Sequence, residues 1–260
     1  MTPPAAAAAP PVRLVRDDKL VELLSLLRDA DSVELKLTVD VQAQRRAAEV
    51  LGLDPLDAQI RMVHFFDTPD LALEQAGVVV RARRTQGKPD DTVVKLRPVV
   101  PAELPGRLRK LPEFVVEVDA METGFVCSGS MKGLARRPCG PHLAEGAPLR
   151  KLYTKEQRAF YEDHAPEGIG LDDLRLLGPI FVLKLKGMTA GFSRKLVGEM
   201  WLYPDGSRIV ELSTKCAPSE AFQVAAELRG WLAERGVAPA RGATTKTRKA
   251  LSFFSRALEA

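Results

Sequence analysis

The feature that most limits what this chain can fold into is a charge pairing that recurs two residues apart on successive extended segments. Glu34 pairs in this way with Lys36, Arg81 with Arg83, Lys95 with Arg97, Glu117 with Asp119, and Lys184 with Lys186. Residues i and i+2 lie on one face of a β-strand, so each pair shares a face. Val33, Leu35, Leu37, Val80, Val94, Leu96, Val116, Val118, Leu183 and Leu185 fall on the opposite face. For any single strand, a solvated outer face is the simpler explanation. Three of these strands, however, carry a doubled cation, and like charges placed opposite one another destabilise a sheet. Such a face is tolerable only where an anion neutralises it. At least four helices bring apolar stripes that also need partners. If they pack outside, on the apolar faces, the charged faces point inward. The expectation is an α+β chain: a closed antiparallel barrel with a charged lumen and helices on its outside.

The strands expected are Ser32–Val39, Ala58–Phe66, Val78–Thr85, Thr92–Pro98, Glu113–Ala120, Ile180–Lys186, Leu196–Tyr203 and Ser207–Cys216. Pro204-Asp205-Gly206 gives the last two a hairpin turn. Helices are expected near Lys19–Arg28, capped by Asp17 or Asp18, and near Gln42–Leu51, Thr154–His164, Ser219–Arg235 and Lys246–Leu258. The run Asp67–Gly77 reads as a short helix with Thr68 as N-cap and Pro69 at its first position. The segment from 121 to about 150 is rich in Gly, Pro and Ser without a clear period, and reads as a long excursion from the barrel.

Composition narrows the setting. Residues 1–11 are Ala and Pro without charge, which reads as a disordered tail rather than a secretion signal; 12–260 read as one domain. No apolar run approaches the roughly 20 residues that cross a bilayer. Three scattered cysteines fit a reducing, cytoplasmic setting better than a disulfide framework. The net charge of +4 permits an anionic partner. Nucleic acid is not indicated, since only 6% of residues are aromatic and the basic pairs face inward on this scheme. Trp201 and Trp231 read as outer-layer packing.

Two runs resemble a known family. Ser32-Val33-Glu34-Leu35-Lys36 resembles the ExExK signature that opens CYTH, or triphosphate-tunnel, domains. His64-Phe65-Phe66-Asp67-Thr68-Pro69-Asp70, followed by Ala76-Gly77 and Arg81-Ala82-Arg83-Arg84, resembles that family's aromatic-Asp-Thr-Pro…Gly…ArgxArg run. The order of the later pairs also fits, up to the late Glu211. The resemblance implies an eight-stranded tunnel barrel, in a family that includes inorganic tripolyphosphatases, thiamine triphosphatases, RNA triphosphatases and class IV adenylate cyclases. It further implies that Lys36, Arg81, Arg83, Lys95, Arg97, Lys184 and Lys186 bind phosphate oxygens, with Lys215 and Lys246 as later additions. Glu34, Glu117 and Glu211 would hold Mg²⁺ or Mn²⁺, with Asp119 and Glu199 as weaker ligands. Glu34, Lys36 and Glu117 would act in catalysis, one of the two glutamates orienting a water. Ser32 and Ser213 stand where the family places glutamates. Metal-dependent triphosphate hydrolysis is the reading that follows, with an adenylate cyclase and a non-catalytic polyphosphate- or nucleotide-binding module as alternatives.

Overall fold

A computed structural model describes residues 18–240 and 245–259. The Ala/Pro segment at the start and the capping position Asp17 lie outside them. In chain order the elements are α1 (Asp18–Arg28), β1 (Ser32–Thr38), α2 (Gln44–Leu51), β2 (Gln59–Asp67), α3 (Ala72–Gln75), β3 (Val78–Thr85), β4 (Asp91–Leu96), α4 (Gly106–Arg109) and β5 (Phe114–Met121). They continue with β6 (Gly124–Leu134), α5 (Cys139–Ala144), α6 (Lys155–Glu162), β7 (Arg175–Thr189), β8 (Phe192–Leu202), β9 (Arg208–Cys216), α7 (Ala221–Glu234) and α8 (Lys246–Glu259).

The strands close into one barrel in the order β1-β5-β6-β4-β3-β2-β7-β8-β9. Two details correct the expectation of eight antiparallel strands. Among the described residues there are nine, and β1 runs parallel to β5 while pairing antiparallel with β9. The ninth strand is β6, which lies inside the segment read as an excursion and pairs with both β4 and β5. Its glycines and serines conceal it from a reading of period and propensity. Tertiary packing is what requires such small residues. A Cβ on Gly129 would sit 2.8 Å from the Phe114 ring. On the same outer surface Gln157 of α6 donates to the carbonyls of Thr92 and Met131 at 2.9 and 3.2 Å, fixing the helix across β4 and β6.

The outer apolar faces bury against helices as the alternation requires. Val33, Leu35, Leu37, Val116 and Val118 share one core with Leu23 and Leu27 of α1 and with Val224, Leu228 and Leu232 of α7. Burying side chains of this kind contributes about 1.5–3 kcal/mol each, which ties the helices to the barrel wall. Leu183 and Leu185 are only half buried.

The turn after β2 is built differently from the expected N-cap. The carboxylate of Asp67, not Thr68 alone, collects the backbone N–H groups of Thr68, Leu73 and Glu74 at 2.8–3.0 Å. The Thr68 hydroxyl accepts from the Ala72 N–H at 2.8 Å. The helix therefore starts at Ala72, after Leu71 in the left-handed region (φ 59°). The chain leaves the helix through Gly77, φ +73°, where a Cβ would lie 2.7 Å from the Arg97 carbonyl oxygen. Glycine is required there for both reasons, and its carbonyl accepts from the Arg97 N–H at 2.8 Å.

One helix is not confined to the outside. Lys246 and Leu251 of α8 line the lumen. Leu251 and Ala250 pack with Val63, Phe65, Val182, Trp201 and Ile209 in a second apolar core. This end of the barrel is filled, and Trp201, expected in the outer layer, instead faces inward because it lies two residues from Glu199 on β8 and shares its face. Trp231 packs outside, against Phe192.

Candidate functional site: a charged barrel lumen

The barrel encloses a cavity of about 1150 Å³. Its lining includes Glu34, Lys36, Arg81, Arg83, Lys95, Arg97, Glu117, Asp119, Lys184, Glu199, Glu211, Lys215 and Lys246. Lys186 is the exception among the expected site residues: it is exposed and does not line the cavity, because β7 extends past the barrel wall there.

The parallel seam builds the acidic part of the site. Across β1 and β5, Ser32 lies opposite Glu117 and Glu34 opposite Asp119. Carboxylate oxygens of Glu34, Glu117 and Asp119 come within 4.8 Å of one another, a set that can hold a metal ion. Three partly or fully buried carboxylates offer the hard-oxygen setting that Mg²⁺ or Mn²⁺ prefers, so these residues fit the ion that the resemblance implies. Both serines point at this cluster: Ser32 donates to Glu117 at 3.3 Å and Ser213 to Glu34 at 3.0 Å.

Cations already surround the same carboxylates. Lys36 Nζ lies 2.7 Å from Asp119 and 3.2 Å from Glu34. Arg97 and Lys95 approach Asp119 at 3.4 and 3.9 Å, and Lys215 pairs with Glu117. Burial alone would raise the Asp119 pKa, yet Lys36, Lys95 and Arg97 outweigh it and hold the group down to about 2. Burial likewise opposes Glu34, and Lys36 with Lys215 brings it below its usual value. For Lys95 burial prevails: its ammonium is pushed down to about 8, although Asp119 pulls the other way.

Glu211 does not join this cluster. It is paired with Thr38, four residues along β1 from Glu34, which at strand rise is roughly 13 Å. It sits opposite Glu199 on β8 instead. Lys246 holds both, at 2.6 Å from Glu199 and 2.7 Å from Glu211. Trp201 closes this corner, donating from Nε1 to Glu199 at 3.2 Å, with Lys246 Nζ 5.0 Å from its ring centre.

Around the wall from the acidic cluster the lining is more basic. Arg83 contacts Asp91 at 2.8 Å and Arg81 reaches it at 3.8 Å. Lys184 lies 3.1 Å from Glu199. Burial, reinforced by Arg83, pushes Arg81 down to about 10.

Among the lumen residues that escaped the sequence reading are Arg61, Asp91 and Lys132. Arg61 lies in phase with Val63 and Phe65, and Asp91 in phase with Lys95, so alternation carried a signal for both. Lys132 belongs to β6 and became visible only with that strand.

No protein-family model matches the sequence, and no curated protein matches it. Solved structures do. A candidate adenylate cyclase of Bacillus halodurans aligns with a TM-score of 0.57 at 13% identity, covering 84% of this chain and 97% of its own. A candidate adenylyl cyclase of Hippeastrum, described as having a dominant triphosphatase activity, aligns with a TM-score of 0.59 at 17% identity. That match covers 85% of this chain and 95% of the neighbour. At these identities the likeness shows a shared fold, the closed barrel with helices packed around it.

Proposed function

We propose that the lumen binds a triphosphate, inorganic or organic, together with Mg²⁺ or Mn²⁺, and hydrolyses a phosphoanhydride bond. The observation that carries this reading is the buried cluster of Glu34, Glu117 and Asp119 facing Lys36, Arg81, Arg83, Lys95, Arg97 and Lys184 inside one cavity. So many cations enclosed together favour a polyanion that neutralises them, and arginine adds bidentate contact with phosphate oxygens. When bound, the divalent ion would neutralise phosphate oxygens and polarise the phosphorus they surround. Lys95, Arg97, Arg81 and Arg83 orient the phosphate chain, and Lys36 offsets charge that develops on the transferred group. Glu117 or Glu34 accepts a hydrogen bond from the attacking water and sets its line of approach. Phosphoryl transfer asks for little beyond this positioning and charge stabilisation. Trp201 is held by Glu199 and packs in the core at the filled end; it is assigned no base-stacking role, which keeps cyclisation of a nucleotide behind hydrolysis.

A second reading, binding without turnover, draws on Ser32 and Ser213. They bring no charge to the acidic cluster, and Lys36 and Lys215 already occupy its carboxylates. One experiment separates the readings. Purified protein is given tripolyphosphate, ATP and thiamine triphosphate, with and without Mg²⁺ or Mn²⁺, while phosphate and cyclic AMP are followed. Metal-dependent phosphate release supports hydrolysis, cyclic AMP supports cyclisation, and tight binding without product supports a binding module. Absence of binding to all three ligands overturns the proposal. No helix among the described residues is long and apolar enough to cross a membrane, and we place the protein in the cytoplasm on its three unpaired, buried cysteines.

A further inference from the structure

We propose that the outer face of β2, β7 and β8 is the interface of a two-fold symmetric dimer of this chain, with Leu56 of each copy seated in the recess beside Met62 and Arg84 of the other. The face lies outside the barrel wall, so the proposal is independent of what the lumen binds.

The first observation is an apolar sheet face that joins no core. Val63 and Phe65 on β2, Val182 on β7 and Trp201 on β8 line the lumen, so Ile60, Met62, Phe181, Leu183, Leu185 and Leu202 face outward. Register makes them neighbours: Ile60 lies opposite Leu183, and Phe181 lies between Met62 and Leu202. None of the six belongs to either apolar core, and Ile60 and Phe181 are 42% and 48% exposed. The outer residues of β1 and β5, by contrast, are sealed by α1 and α7. A contiguous uncovered apolar face marks a contact with another molecule.

The second observation is Leu56, which is 93% exposed. It sits on the 3-10 turn Pro55–Asp57 just before β2, and Asp54 fixes that turn by accepting the Leu56 N–H at 2.8 Å. The turn lies against β7 and so borders the apolar face at its Ile60 end. Toward β3, the same face opens into a shallow recess of about 650 Å³ whose lining includes Ile60, Met62, Arg84 and Lys88. One face thus carries both a projection and a recess, which is what a self-complementary contact between identical surfaces requires.

Register and charge place the symmetry axis. Arg84 is level with Met62, past Ile60 along β2 and on its β3 side. Leu56 and Asp57 precede Ile60 and lie on the β7 side. A two-fold axis standing on the face close to Ile60 exchanges these corners, bringing Leu56 to the recess and Asp57 to Arg84. Both charged side chains belong to exposed residues.

The area is sufficient. At roughly 200 Å² for a fully exposed side chain of this size, Leu56, Ile60, Phe181 and their half-buried neighbours present on the order of 500 Å² of apolar surface. A standard interface takes about 800 Å² from each partner, a little over half of it apolar. The face therefore supplies the apolar share of a stable dimer.

Sedimentation equilibrium of the full chain over a range of micromolar concentrations tests the proposal. The expected mass is twice the 28.4 kDa of one chain. Leu56→Asp, at a site too exposed to disturb folding, and Phe181→Glu should each weaken association about tenfold or more, with circular dichroism checking the fold. Arg84→Asp and Asp57→Arg should each weaken it about tenfold, and the double variant should recover most of that loss, because the reversed pair attracts again. A wild type that stays monomeric throughout overturns the proposal, and so does a dimer that neither Leu56→Asp nor Phe181→Glu weakens. A double variant that associates no more tightly than the single ones overturns the two-fold arrangement.

Discussion

Glu34 and Asp119 sit directly opposite one another across the parallel β1–β5 seam, and the ammonium of Lys36 lies 3.2 Å from the first and 2.7 Å from the second. Two carboxylates facing each other in a partly buried seam are stable only with a cation between them. Lys36 supplies one, and its own pKa is raised despite burial because Asp119 and Glu34 surround it.

Lys36→Met should therefore destabilise the protein by roughly 3 kcal/mol, the scale of breaking a buried ion pair. Divalent cation should restore much of that loss by binding the freed carboxylates. Thermal unfolding with Mg²⁺ and with EDTA checks both parts. A variant whose melting temperature equals that of the wild type in EDTA would show that Lys36 is not the counter-ion.

Acid should weaken the fold through Glu199. Burial opposes its charge, but Lys246 and Lys184 hold its pKa well below the usual 4.5. Between the folded and unfolded values the unfolded chain binds the extra proton. The stability this group contributes is thus present above about pH 5 and is lost as pH falls toward the folded value. Denaturant titrations between pH 6 and 3 should show a shallower loss for Glu199→Gln than for the wild type. Parallel curves would remove Glu199 from the account.

Replacing Arg81 and Arg83 together by alanine should lower tripolyphosphate affinity at least a hundredfold, given the strength of charge-assisted contacts. Both side chains face the lumen, and their strand partners Val93 and Asp91 remain in place, so the barrel should stay folded. Calorimetry measures the affinity and circular dichroism the fold. Unchanged affinity would count against an anion-binding lumen.

Gly129→Ala should cost about 2 kcal/mol by overpacking against the Phe114 ring, 2.8 Å from the new Cβ. Chemical denaturation reads this directly. Gly124→Ala serves as a comparison of a different kind: its Cβ meets nothing within 4 Å, and only its φ of +132° is strained.

The alternation of β1, β3, β4 and β5, and of β7 as far as Lys184, determined from sequence alone which side chains face inward, because the two-residue period of a strand is fixed by backbone geometry. The same applies to α7, whose Val224, Leu228 and Leu232 repeat at the helical period and are buried. Lumen residues such as Arg81, Lys95 and Asp119 were legible for this reason. β6 was not: Gly129 answers to the space left by Phe114 and Gly133 to that left by Thr154 and Gln157, which does not exist until those elements have docked.

Neighbours across strands were equally beyond local sequence. Only closure of the barrel brings residue 34 beside 119 and 32 beside 117, since register between segments 85 residues apart is set by how the whole sheet wraps, whereas 199 meets 211 through the β8–β9 hairpin. That closure selected Glu34, Glu117 and Asp119 as the acidic cluster and gave Glu211 to Lys246. The sequence determined the charged face; the tertiary structure decided which charges meet on it.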